Sequence, residues 1–107
     1  MSRLASLEAL LARGPDTALL RYSIALEHLN AKQGAEARAH LERAVALDPG
    51  YSAAWKLLGK ACAELGDADA AAAAYRRGIE AAEQKGDVQA AKEMRVFLAR
   101  LERDRRE

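Results

Sequence analysis

Apolar residues recur at three- and four-residue spacing along nearly the whole chain, and clusters of Gly, Pro and Asp interrupt them. Gly14-Pro15-Asp16 and Asp48-Pro49-Gly50 are sharp stops, while Gln33-Gly34, Gly66-Asp67 and Gly86-Asp87 are softer ones. The spacing predicts six helices, over about 2–13, 16–32, 35–47, 52–65, 68–85 and 87–104. Asp16, Asp67 and Asp87 are expected N-caps, their carboxylates placed to accept the unpaired N–H groups of a first turn. Connections this short make neighbouring helices antiparallel.

Composition agrees with an all-α fold. Half of the 107 residues are hydrophobic, only 5% are aromatic, and alanine is about a quarter of the chain. Alanine loses no side-chain entropy in a helix, and the straight-chain Leu, Glu and Arg lose little. Net charge is +1, from 17 basic and 16 acidic residues, so the basic excess that phosphate contacts demand is missing and no nucleic-acid partner is expected. The single cysteine, Cys62, has no internal partner for a disulfide. The stretch after Met1-Ser2-Arg3 lacks a signal-like apolar core. No run approaches the roughly 20 apolar residues of a membrane span. The expected setting is the cytoplasm, with no membrane association.

The helices repeat. A shift of ~34 residues pairs Pro15 with Pro49, Ile24 with Leu58, Ala25 with Gly59, and Ala37 with Ala71. Two columns recur three times: Leu7, Leu41, Tyr75, and Leu11, Val45, Ile79. A third, Leu10, Ala44, Gly78, shrinks along the chain. Large matches large and small matches small.

Trp55-Lys56-Leu57-Leu58-Gly59, followed by Gly66-Asp67, Ala71, Tyr75 and Gly78-Ile79, resembles a tetratricopeptide repeat over 52–85. Cys62 and Gly78 depart from the pattern, which prefers an aromatic and Ala there. A copy over 18–51 ends in the expected Asp48-Pro49, but Arg21 replaces Trp, His28 replaces Tyr, and Gly34 lies two places late. The resemblance implies an all-α fold: a short right-handed superhelix of antiparallel helix hairpins within one domain over 1–107. Residues 2–13 would be an N-terminal helix and 86–104 a capping helix. The cap would turn Val88, Ala91, Met94, Phe97, Leu98 and Leu101 inward, and the first helix Leu4, Leu7, Leu10 and Leu11.

Small residues at Ala25, Gly59, Ala44 and Gly78 are placed where helices cross within the usual 8–10 Å. Trp55, Leu58 and Tyr75 are expected to fill the gaps between hairpins, and truncating a core Trp55 to Ala would cost about 3–5 kcal/mol.

Candidate chemistry is sparse. His28 and His40 lie on different helices without Cys or carboxylate at metal-ligand spacing, and structural or surface roles are expected for both. Cys62 is expected to be a buried, inert thiol. No set of titratable groups converges as catalysis requires, so no enzyme activity, metal or cofactor is expected. The resemblance instead implies a concave groove built from the first helix of each repeat, for an unidentified protein or peptide. Carried over position by position, the groove residues are Leu19, Tyr22, Leu26, Leu29 and Asn30 in the first repeat. In the second they are Ala53, Lys56, Lys60, Ala63 and Glu64, and on the cap Ala90, Met94 and Phe97. Tyr22, Leu26 and Leu29 can alternatively be buried against the end helices, and Lys60 can pair with Glu64 one turn on. The chaperone-tail clamp of some family members is missing, with Tyr22, Leu26 and Leu57 at its places. The alternating charges of Arg100–Glu107 read as a solvated helix end. With two full repeats, weak homodimerisation through leftover apolar surface is the alternative use of the same face.

Overall fold

The computed structural model describes residues 2–106 and contains six helices. They are α1 (Arg3–Arg13), α2 (Ala18–Asn30), α3 (Gly34–Leu47), α4 (Ser52–Glu64), α5 (Ala68–Gln84) and α6 (Val88–Arg106). Each packs against the next, and α4 also meets α6. The result is an elongated body of 44 × 30 × 19 Å, in which α2–α3 and α4–α5 form antiparallel hairpins.

Three inter-helix turns are built alike. The N–H groups of Gln33, Asp67 and Asp87 donate to the carbonyls of His28, Cys62 and Ala82, at 2.8, 2.9 and 2.8 Å. Such a turn needs a left-handed residue just after the helix. Gly66 (φ 81°) and Gly86 (φ 73°) supply it; in the first repeat Lys32 does so at φ 59°. This explains the displaced glycine: Lys32 occupies the glycine position, and Gly34 opens α3.

The N-caps correct one expectation. Asp67 and Asp87 accept from the N–H groups of Ala70 and Ala90, at 3.1 and 3.0 Å. Asp16 does not cap; Thr17 Oγ1 accepts from Leu20 N–H at 3.1 Å, and α2 starts at Ala18. Asp16 is instead held by two guanidiniums, Arg21 (2.8 and 2.9 Å) and Arg43 (3.1 Å), pinning the α1–α2 turn onto α3.

The core runs along the helix crossings and centres on Ile24, Leu41, Cys62 and Met94. Ala25, Ala44, Leu58 and Tyr75 are buried as expected. Gly78 is buried with no room for a side chain, because a Cβ there would collide with Met94 Sδ and lie 2.9 Å from Trp55 Cβ. Trp55 itself is half-buried: its Nε1–H donates to the Pro49 carbonyl at 2.7 Å, and the Arg77 guanidinium stacks 4.9 Å from the ring centroid. Partial burial lowers the cost expected of its truncation. Two inward assignments fail. Leu10 is 48% exposed and Val88 68% exposed, because each lies at the edge of its helix's apolar stripe, beyond the neighbour's reach.

Candidate peptide-binding groove

Helices α2, α4 and α6, the first of each hairpin and the cap, supply the expected groove residues. On α2, Leu19 is 66% exposed and Asn30 is exposed, while Tyr22, Leu26 and Leu29 are half-buried with their inner sides on the core. Neither extreme of the sequence reading holds: these side chains are neither free nor filled in. Tyr22 meets Tyr51 with ring centroids 5.2 Å apart and planes tilted by 32°. Burial, then Tyr22 and Asp48, pushes the Tyr51 hydroxyl above the usual tyrosine range. Tyr51 was missed in the sequence because it follows Pro49-Gly50 and looks like loop; an aromatic directly ahead of an apolar-periodic helix was the available signal.

The α4–α6 side is bridged by side chains. Lys56 Nζ lies 3.6 Å from Glu93 Oε1, and Lys60 Nζ sits 5.9 Å from the Phe97 ring centroid. Lys60 therefore caps an aromatic face instead of pairing with Glu64. Phe97 in turn meets Tyr75 at 5.7 Å, whose hydroxyl is pushed up to about 12, chiefly by burial. Two depressions follow one another along this seam. One, of about 270 Å³, is lined by Ala53, Lys56, Ala90 and Glu93, with the buried Met94 beneath them. The other, of about 310 Å³, is lined by Lys60, Ala63, Glu64, Phe97 and Leu101.

Met94 underlies the groove but has no exposed surface of its own. It is fully buried beneath Gly78, and Phe97 faces Lys60 in its stead. The error has a physical cause. A constant 34-residue shift carries Lys56, Lys60 and Ala63 onto Ala90, Met94 and Phe97, but α5 has 17 residues where α3 has 14. The turn after α5 is one residue shorter, so α6 opens at Val88, two residues later than a 34-residue shift from Ser52 would place it, about half a turn; Lys56 faces Glu93 and Lys60 faces Phe97.

His28 and His40, on different helices, lie equally far from Gly34 along the hairpin and stack with centroids 5.4 Å apart. His28 Nδ1 is 2.8 Å from Gln33 Oε1, and Arg21 Nη1 is 3.1 Å from His40 Nδ1. The residues replacing the expected Trp and Tyr thus rebuild the space as a polar network anchored on Asp16. Cys62 is buried and its thiol is pushed up by that burial, which disfavours the nucleophilic thiolate. Among the described residues, no three His, Cys, Asp or Glu side chains gather into a metal-binding group, and no helix is long and apolar enough to cross a membrane.

The stacked hairpins place the protein in the class of helical-repeat solenoids. The chain belongs to the tetratricopeptide-repeat family, whose patterns match residues 28–94 and 4–51. It is 48% identical over 99 residues to a TPR repeat-containing protein of Pseudomonas aeruginosa, covering 92% of this chain and 94% of that one. The solution structure of a Bordetella parapertussis protein aligns with TM-score 0.83 and 41% identity, over 97% of this chain and 90% of that one. At the level of fold alone, the first TPR of Spaghetti (RPAP3), bound to an HSP90 peptide, aligns with TM-score 0.81 and 21% identity, over 97% and 78% of the two chains.

Proposed function

We propose that this chain is a non-enzymatic interaction module, two repeats (18–51 and 52–85) between an N-terminal helix (2–13) and a cap (86–104). It holds an extended segment of a partner protein and acts as a cytoplasmic adaptor. One observation carries the reading: Leu19, Tyr22, Leu26 and Leu29 form an apolar strip along α2 that the protein's own core covers only on one side. An extended peptide with apolar anchors would complete that burial, and the depressions beside Lys56 and Lys60 would take its neighbouring side chains. Peptide capture by the RPAP3 domain supports the reading through fold alone. A chaperone tail is not the proposed ligand, because Tyr22, Leu26 and Leu57 replace the polar residues of that clamp.

The test is affinity purification with partner identification, followed by binding of the partner's segment to the Tyr22→Asp/Lys56→Glu double variant. Capture is expected to disappear while helical circular dichroism is unchanged. Undiminished binding by the folded double variant would remove the groove from the reading.

A second reading, homodimerisation, is favoured by Leu10, which is 48% exposed beside a shallow depression of about 480 Å³ lined by Ser6, Ala9 and Arg13. Sedimentation over a wide concentration range decides it; a monomer throughout would leave it without support.

A further inference from the structure

The charges of the last helix alternate in sequence but not in space. Wound at about 3.6 residues per turn, α6 sorts them. Glu93 turns to Lys56, Glu102 to Arg76, and Arg105 to Asp69, so these charges are paired against α4 and α5. Lys92, Arg103 and Arg106 turn the other way, are exposed, and have no ion-pair partner among the described residues. Arg95 flanks them and is tied to Glu83. Val88 (68% exposed), Val96 (53% exposed) and the exposed Ala99 lie between these cations on the same face. No acidic residue of the helix falls within that arc.

A cap that only solvates the end of a solenoid would be polar with both signs interspersed. This face is cationic and carries two of the most exposed large aliphatic side chains of the protein. We infer that the outer face of α6 docks an acidic segment of a partner protein that carries apolar residues between its carboxylates. Charge complementarity selects the acidic partner, and the valines select a segment that offers apolar contacts as well. Nucleic acid fits less well, since no aromatic side chain lies on the face for bases to stack on. An anionic membrane surface fits less well too, since Val88, Val96 and Ala99 reach too little into an acyl layer. A second copy of this chain offers no match: among the described residues its acids outside ion pairs, Glu8, Glu36, Asp48, Glu64, Glu80, Asp87 and Asp104, are scattered over α1, α3, α4, α5, α6 and two inter-helix turns. The face lies outside the α2–α4–α6 groove, so the inference stands independently of the groove reading.

Titration of the full chain with a synthetic peptide of alternating Glu and Leu pairs tests it, followed by amide chemical shifts. Shifts are expected to concentrate at Val88, Lys92, Val96, Ala99 and Arg103. Affinity is expected to fall at least about tenfold in Lys92→Glu/Arg103→Glu/Arg106→Glu, and severalfold in Val96→Ser or on raising salt. Tyr22→Asp should leave the binding unchanged. Equal binding of a Gln-for-Glu peptide, or shifts confined to α2 and α4, would overturn the inference. So would tighter binding of oligouridylate or phosphatidylglycerol vesicles than of the acidic peptide. The Val96→Ser variant, at an exposed site, keeps the test valid should the triple charge reversal unfold α6.

Discussion

Tyr75 occupies the space that Gly59 leaves empty: a Cβ on Gly59 would fall 2.5 Å from Tyr75 Cε1 and 2.7 Å from Cδ1. Tyr75 is 3% exposed and packed against Phe97, so the ring has nowhere to swing. Gly59→Ala gains about 1 kcal/mol of helix propensity but forces overpacking that typically costs 1–3 kcal/mol. The expected outcome is a net loss of up to about 2 kcal/mol in urea denaturation. An unchanged midpoint would mean that the α4–α5 crossing yields freely.

Lys32 holds a left-handed conformation (φ 59°) at the turn position where the second repeat has Gly66. A side chain there costs about 1–2 kcal/mol, and glycine gives back part of that gain through its more flexible unfolded chain. Lys32→Gly is therefore expected to stabilise the protein by several tenths to about 1 kcal/mol, seen as a higher melting temperature. Gly34→Ala, in α3 and outside the turn, should not show the same strain.

Met94 is fully buried, so Met94→Ala should cost about 2–5 kcal/mol by chemical denaturation while leaving the folded fraction's partner affinity unchanged. A Met in a groove would behave the opposite way. The residue also marks where the sequence stops being sufficient. The small residue at the Gly59 crossing and the turn breakers were legible because helix crossings and left-handed turns act locally, whereas Tyr75 filling the space beside Gly59 was not, since small residues were expected opposite it. The phase of α6 was not legible either, because it depends on the lengths of α5 and the turn after it, and a repeat frame carried forward by a constant period misses a displacement of about half a turn. The His28–His40 stack was hidden for a related reason: it arises only once α2 and α3 fold back about Gly34.

Acid should weaken the first hairpin in two steps. Arg21 Nη1 can only donate, so His40 Nδ1 accepts and the ring is neutral. Burial, then Arg21 and His28, depress the His40 pKa below 6.5, against weaker opposition from Glu8 and Asp16. The unfolded chain therefore takes up this proton first, and stability is lost as pH falls through 6.5 toward the depressed folded value. Asp16, lowered from 3.8 to about 2 chiefly by its hydrogen bond with Arg21, follows the same sign: its stabilisation is present above 3.8 and lost toward 2. His40→Asn keeps an acceptor near Nδ1 but cannot titrate. It should abolish the upper step in the pH dependence of the urea midpoint and retain the lower one. If the upper step survives, His40 is not its source.

Lys56 and Glu93 span the seam between α4 and α6 at 3.6 Å, with side chains 32% and 43% exposed. Exposed pairs of this kind contribute about 0–1 kcal/mol, and the apolar contacts of Ala91, Met94 and Leu98 hold α6 in place without the pair. Lys56→Met should therefore shift the denaturation midpoint by less than about 1 kcal/mol and leave the α6 amide spectrum largely as it was. A partner lost by Lys56→Met then reports on the groove surface and not on unfolding of the cap. A loss of cooperativity in that variant would show instead that the ion pair fastens α6, and the pair would count as structural.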